Sequence, residues 1–257
     1  MHKFRDYKVN TLQDNLYYNM HKHQTVDFVK AQHLKYSNLN NCTLKINEAL
    51  NLMDNFVDSS DPDTSLPNSI HAYQTAEMIR NKYPENKELQ ICGLIHDLGK
   101  ILYTFNEPEW SIVGDTFVVG CSYPKTIVYN HFLKNNPDFL NPNYNTSYGI
   151  YQKNCGIENL LLSYGHDEYL YSVLQKNNHK LSKKYQNIIR FHSFYPWHTH
   201  NEYQRFMKKS DYEILNNVRM FNEFDLYSKK DKFVLTEEIK SYYDKLLLHY
   251  FPNPLKW

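Results

Sequence analysis

Residues 88–102 read ELQICGLIHDLGKIL and place His96 and Asp97 inside an otherwise apolar run. The run predicts a buried helix, because both residues that flank the pair are apolar. An isolated charge is costly to bury, so such groups are normally paired, hydrogen-bonded or bound to a metal ion. Lys100 lies one helical turn from the pair and points to the same region. The stretch therefore predicts either a functional site or a buried salt bridge, and it does not decide between the two.

The rest of the sequence is mostly typical of helices. One short segment, TFVVG at 116–120, is typical of a strand, and residues 104–155, with four prolines, predict a long irregular insertion. The predicted fold class is all-α, with at most a minor β-hairpin, and without a visible linker or repeat we expect one domain over residues 1–257. Besides the central run, the predicted helices lie at 11–33, 43–57, 69–83, 157–165, 166–177, 183–194, 210–224 and 236–251.

Composition excludes several classes of partner. The 29 Lys and Arg residues nearly balance 28 Asp and Glu residues, which argues against nucleic acid. No apolar stretch approaches the roughly 18 residues of a membrane span, and the first ten residues lack the apolar core of a secretory signal. The four cysteines form no C-x-x-C pair and predict reduced thiols in a cytoplasmic protein. We further expect a monomer.

Six side chains with metal-ligand chemistry have apolar or aromatic neighbours. Each alone is also compatible with a hydrogen-bonded core residue. Together, four imidazoles and two carboxylates without a nearby thiolate suit iron, manganese or zinc. Six protein ligands are too many for one catalytic ion with an open position, but they suit two ions that share a carboxylate, and Asp97 is the expected bridge. The six are His71, His96, Asp97, His166, His192 and Asp225.

The order of these residues resembles the H…HD…D pattern of the HD-domain superfamily, helical metalloproteins that are mostly phosphohydrolases. The string HDLGK alone does not discriminate within that superfamily. Six longer strings in order resemble the myo-inositol oxygenase family, and the likeness runs from FRDY near the N-terminus to LKW at the end. The strings are SDPDTSLPNSIHAYQTAE (60–77), GLIHDLGKIL (93–102), EPEWSIVGDTFVVGC (107–121), GHDEYLY (165–171), RFHSFYPWHT (190–199) and FNEFDLY (221–227).

The resemblance implies a di-iron oxygenase on an HD-type helical core that cleaves the ring of myo-inositol with O₂ and gives D-glucuronate. Its cofactor would be two iron ions, mixed-valent Fe(II)/Fe(III) in the active form. One iron would be held by the residues that match the family's ligands, His71, His96, Asp97 and Asp225. The other would be held by His166 and His192, with Asp97 bridging the two ions.

Substrate contacts also follow from the resemblance. Ser59 departs from the family, which usually has an acidic residue at that position. Lys100 and Asp97 are the expected catalytic residues, because a lysine can stabilise a coordinated alkoxide or take its proton. The expected substrate-binding residues are Arg5, Asp58, Ser59, Ser60, Lys100, Gly114, Asp115, His192 and Ser193.

Two other functions remain open from the sequence. The first is a metal-dependent phosphohydrolase of the HD superfamily, in which Lys100 would contact phosphate. Apart from Arg190, no further Lys or Arg clusters beside the ligand motifs to support it. The second is a catalytically silent binding protein, which would be expected to lose at least one metal ligand, and none is lost.

Overall fold

The computed structural model describes residues 12–60, 67–227 and 233–257. Helices dominate these residues, which confirms the all-α prediction, and residues 104–155 hold only short 3-10 helices among turns. The α-helices are α1 Leu12–His23, α2 Val26–Lys35, α3 Ile46–Met53, α4 Asn68–Lys82, α5 Lys87–Ile95, α6 His166–Lys176, α7 Lys183–Phe191, α8 Tyr195–His198, α9 Asp211–Tyr227 and α10 Glu237–Tyr250.

The first predicted helix is two helices in the structure. The chain leaves the helical path at Gln24, whose side-chain amide pairs with both backbone groups of Tyr164 (2.7 and 2.8 Å). The Thr25 side chain then accepts from the Phe28 N–H and caps α2. The prediction of one helix over 11–33 is therefore wrong, because a capping residue lies inside the helical pattern.

Two very short strands pair far-separated parts of the chain. Strand β1, Thr43–Leu44, runs antiparallel to β2, Leu255–Lys256, so the β-structure is not the hairpin that the sequence allowed. The helix predicted over 43–57 is therefore shorter in the structure, where α3 begins at Ile46 and ends at Met53. The pairing fixes the C-terminal end of the chain, and Trp257 is fully buried there.

A second extended segment replaces a predicted helix. Only Ile157–Asn159 forms a 3-10 turn, and residues after it pair with the predicted strand at 116–120 through a Val118–Leu162 bridge. The Ser163 N–H donates to the Phe117 carbonyl at 2.7 Å. The helix predicted over 157–165 is wrong, because a short apolar run does not distinguish a helix from a buried strand.

The central run also departs from one continuous helix. Helix α5 ends at Ile95, and a 3-10 helix, Leu98–Phe105, follows after His96 and Asp97. Gly99 explains the tight path, because a Cβ at this position would lie 2.0 Å from the His166 carbonyl oxygen. The backbone at the start of α6 therefore approaches this turn closely, which brings His166 near His96 and Asp97.

The buried apolar side chains of the described residues form one continuous cluster. Helix α4 packs on α5, α6 on α7, and α7 on α9, so that these five helices surround one interior region. Within the described residues, no helix combines the length and the apolar character that crossing a membrane requires. The HD-type core and the single-domain boundary stay predictions.

Candidate metal centre

The six predicted ligand residues come from five different helices and lie close together. His71 is on α4, and His96 and Asp97 directly follow α5. His166 begins α6 and His192 directly follows α7, where both helices meet the central turn. Asp225 is on α9. Residues up to 154 positions apart in the chain thereby converge on one interior region.

Four side chains form the first half of the site. The Asp225 Oδ1 lies 3.1 Å from the His71 Nε2 and 3.3 Å from the His96 Nε2. The His96 Nε2 is also 3.5 Å from the Asp97 Oδ2. Ligand atoms of His71, His96 and Asp97 all lie within 4.8 Å of one another.

The second half uses the other oxygen of the same aspartate. The Asp97 Oδ1 is 3.2 Å from the His166 Nε2 and 3.6 Å from the His192 Nε2. The two histidine Nε2 atoms are 3.3 Å apart. Asp97 therefore turns one carboxylate oxygen toward each half, which is the arrangement of a bridging ligand.

The histidine rings have a fixed orientation. Each of His96, His166 and His192 places its Nδ1 against a backbone carbonyl, so Nδ1 carries a hydrogen and Nε2 is the ring atom that faces the cluster. Backbone carbonyls commonly hold metal-binding histidines in this way. The carbonyl partners are Gly93 at 2.8 Å, Ile112 at 2.7 Å and Ile189 at 2.7 Å.

The spacing and the donor set both fit metal ions. Ligand atoms at right angles, each about 2.1 Å from one ion, lie about 3 Å apart, close to the contacts found in both halves. Imidazole nitrogens with carboxylate oxygens suit iron, manganese or zinc. Among the described residues, four carboxylates meet here with one lysine, Lys100, so further positive charge from protonated imidazoles or metal ions is needed to balance them. The four belong to Asp58, Asp97, Asp167 and Asp225.

Electrostatics keep this cluster ionised. Burial alone would raise the pKa of Asp97, but Lys100 and His96 hold it well below its usual range. Burial would likewise raise the pKa of Asp225, and hydrogen bonds from His71 and His96 lower it. For His166, burial is outweighed by the neighbouring carboxylates, which raise the pKa to about 10. The carboxylates thus attract either protons or metal ions to the imidazoles.

Lys100 lies between Asp97, the predicted bridging carboxylate, and the predicted substrate loop. Its Nζ is 2.8 Å from the Asp97 Oδ2 and 2.8 Å from the Asp58 Oδ2. Burial opposes the charge, but the two carboxylates raise the pKa of Lys100. The Asp58 Oδ1 accepts from the backbone N–H and the hydroxyl of Ser60, so the loop is fixed around this ion pair.

The other predicted substrate-binding residues that the structure describes lie on segments close to this ion pair or to the end of α7. The Ser59 N–H donates to Glu109 Oε1 at 2.8 Å, while Asp115, which follows Gly114, accepts from the Tyr17 hydroxyl at 3.0 Å. The residue after Asp115 donates its N–H to the Ser193 carbonyl at 2.9 Å, which ties this segment to the end of α7. Arg5 lies outside the described residues.

Asp167 reaches the site although the sequence did not single it out. Its Oδ1 is 2.7 Å from the His166 Nε2 and 3.9 Å from the His192 Nε2. His198 was also passed over, and its buried Nε2 lies 2.9 Å from the His192 carbonyl oxygen. The signal that could have identified Asp167 is a second His-Asp dipeptide, at 166–167, which repeats the one at 96–97.

Comparison with known proteins agrees with this site. Residues 10–257 match the family model of myo-inositol oxygenase. The inositol oxygenase of Danio rerio is 43% identical over 259 residues, which cover 99% of this chain and 93% of that protein. The human inositol oxygenase is 43% identical over 99% of this chain and 90% of its own length. Inositol oxygenase 1 of Arabidopsis thaliana is 44% identical over 99% of this chain and 84% of its own length. The chain belongs to the myo-inositol oxygenase family.

Proposed function

We propose that this protein cleaves the ring of myo-inositol with O₂ and releases D-glucuronate, at a centre of two iron ions. The observation that carries the proposal is the division of Asp97 between two groups of histidines. Family membership supports it, because the match extends over residues 10–257 and the relatives are named inositol oxygenases.

The two halves of the site would hold the ions differently. His71, His96, Asp97 and Asp225 would hold the first ion, whereas the second would have His166, His192 and Asp97. The second ion would therefore be held by fewer protein ligands than the first, and it could supply Lewis acidity to substrate oxygens. When bound, the irons, mixed-valent in the active form, supply the redox capacity and the Lewis acidity that side chains lack.

Lys100 is the proposed catalytic cation. Paired with Asp97 and Asp58, its ammonium group stays protonated and can donate a hydrogen bond to a substrate hydroxyl that is losing its proton. Of the two roles that the sequence allowed, the ion pairs favour stabilising an alkoxide over acting as a base.

A neutral polyol needs several polar contacts to be held in one orientation. We propose that Asp58, Asp115 and Ser193 provide them on the described side of the site, because all three are buried and linked to the centre. Arg5 is proposed to contribute another contact. The burial of these groups would also keep water away from reactive species.

The phosphohydrolase alternative gains no support. Arg190, the cation that the sequence places beside the ligand motifs, donates to both carboxylate oxygens of Glu168 at 2.8 and 3.1 Å. Its third contact is the Glu158 carbonyl. A guanidinium that is bound in this way is not directed at a phosphate group in the site.

The test is oxygen uptake by purified protein with myo-inositol, together with iron quantitation and identification of the product. We expect about two iron ions per chain and D-glucuronate in proportion to the oxygen consumed. Phosphate release from a nucleotide without oxygen uptake would instead support the phosphohydrolase. We also propose a cytoplasmic monomer, which light scattering of the purified protein and localisation of a tagged chain would check.

A further inference from the structure

Asp167 has no role in the proposed function as stated so far, although it lies against the second half of the metal centre. It is only 2% exposed, so its carboxylate is shielded from water. A buried carboxylate needs partners that compensate for its lost hydration. The His166 Nε2 lies 2.7 Å from Oδ1, and it can donate a hydrogen bond to this oxygen only when it is protonated and holds no metal ion.

The other partners of Asp167 are two hydroxyl groups. The Ser193 hydroxyl donates to Oδ1 at 3.2 Å, and the Thr116 hydroxyl donates to Oδ2 at 3.1 Å. Thr116 also donates its backbone N–H to the Ser193 carbonyl. One carboxylate thereby joins the end of α7 to the segment that carries Asp115, and both are proposed substrate-binding segments.

This hydrogen bond fixes what Ser193 can offer to a ligand. A carboxylate has no hydrogen to donate, and a serine hydroxyl has a single one. Because that hydrogen points to Asp167, Ser193 presents only lone pairs to the substrate pocket. A polyol hydroxyl that meets Ser193 must therefore act as the donor.

We propose that Asp167 is a positioning residue, which holds the Ser193 hydroxyl as a hydrogen-bond acceptor for one hydroxyl of myo-inositol beside the second metal ion. This inference rests on the proposed function, because it requires inositol to bind on the side of His166 and His192. Asp167 acts through Ser193 and does not itself bind the metal.

The test measures binding of myo-inositol to iron-loaded protein without oxygen, by calorimetry, with bound iron determined on the same samples. Asp167→Ala is expected to raise the dissociation constant by about ten-fold at unchanged iron content. Asp167→Asn is expected to retain most of the affinity, because an amide still accepts from Ser193 and donates to Thr116. This conservative variant separates a hydrogen-bonding role from a role of the negative charge.

A double-mutant cycle tests whether Asp167 works through Ser193. Ser193→Ala is expected to weaken inositol binding by about the same factor as Asp167→Ala, and the double variant no further than either one. If Asp167→Ala does not fold, Thr116→Val replaces it. That variant should weaken binding by about three-fold, and not at all in the Ser193→Ala background.

Three results would overturn the inference. Loss of iron from Asp167→Asn would make Asp167 a metal ligand. An Asn variant that binds inositol as weakly as the Ala variant would show that the charge matters. Multiplicative losses in the double variant would show that Asp167 acts independently of Ser193. By contrast, a wild-type protein that holds iron but binds no inositol would refute the proposed function itself.

Discussion

Replacement of Lys100 by alanine gives the most informative single perturbation. The ammonium group is paired at 2.8 Å with both Asp97 and Asp58, and its side chain is only 7% exposed. Breaking a buried pair leaves a carboxylate without its counter-charge and typically costs about 3–5 kcal/mol. We expect a loss of that size in the free energy of unfolding of the metal-free protein, measured by urea denaturation.

The same variant should separate catalysis from metal binding. Removing one preorganised donor to a developing oxyanion lowers turnover by about 10²–10³. Lys100 is not a proposed iron ligand, so Lys100→Ala should keep its iron content while the rate of oxygen uptake with myo-inositol falls by that factor. Loss of iron would make the lysine structural, and unchanged turnover would remove it from the catalytic residues.

Lys240 provides a matched control for the effect of burial. It also pairs at 2.8 Å with an acidic residue three positions earlier, Glu237, but the Lys240 side chain is 43% exposed and that of Glu237 is 87% exposed. Exposed pairs contribute about 0.2–1 kcal/mol, so Lys240→Ala should change stability by no more than this and leave turnover unchanged. Equal destabilisation by the two alanine variants would refute the reasoning from burial.

Asp97→Ala should reduce the iron bound in both halves of the site, whereas Asp225→Ala should reduce the iron in the first half alone. Iron quantitation would contradict the bridging role of Asp97 if the two variants lost equal amounts of iron. Glu107 is buried, which alone would raise its pKa, but hydrogen bonds from Lys35 and Tyr36 lower it below 4.5. The stabilisation that the ionised Glu107 carboxylate provides should therefore be fully present above the ordinary pKa of a glutamate. It should be lost as the pH falls through the lower pKa that Glu107 has in the folded protein. Glu107→Gln should reduce the loss in the free energy of unfolding that the protein shows at low pH, measured by denaturation at a series of pH values. An unchanged loss at low pH would refute the role of Glu107. Gly99→Ala should cost roughly 1–3 kcal/mol by overpacking against the His166 carbonyl, and calorimetry that finds native stability would contradict the close approach.

The candidate ligands could be found from the sequence because burying a polar side chain costs free energy. A histidine or aspartate inside an apolar run is therefore unusual and marks a candidate site. His96 and Asp97 are such a case, and their apolar neighbours are fully buried. The number of candidate ligands also made Asp97 the expected bridge, but which histidine lies beside each of its two oxygens could not be found from local pattern. That placement depends on the approach of α6 to Gly99, and local pattern carries no information about contacts between segments 67 residues apart.

Asp167 was missed for a different physical reason. An acidic residue in the first turn of a helix is common, because it interacts favourably with the helix dipole. Its position at the start of α6 therefore resembles an ordinary helix terminus. Only the hydrogen bonds to Thr116 and Ser193, which come from other segments, distinguish it.

The predicted helix boundaries were wrong where the local sequence was compatible with more than one structure. Thr25 is a cap within an otherwise helical pattern, and the break is fixed by the contact of Gln24 with Tyr164, 140 residues away. The three leucines at 160–162 fit a helix or a buried strand equally well. In the structure Leu162 pairs with Val118, so this segment is extended.

The central claim is that two metal ions share Asp97, and anomalous X-ray diffraction at the iron absorption edge tests it most directly. The account predicts two anomalous peaks on opposite sides of that carboxylate. One should lie among His71, His96 and Asp225, and the other beside His166 and His192. A single peak, or iron bound away from Asp97, would contradict the account.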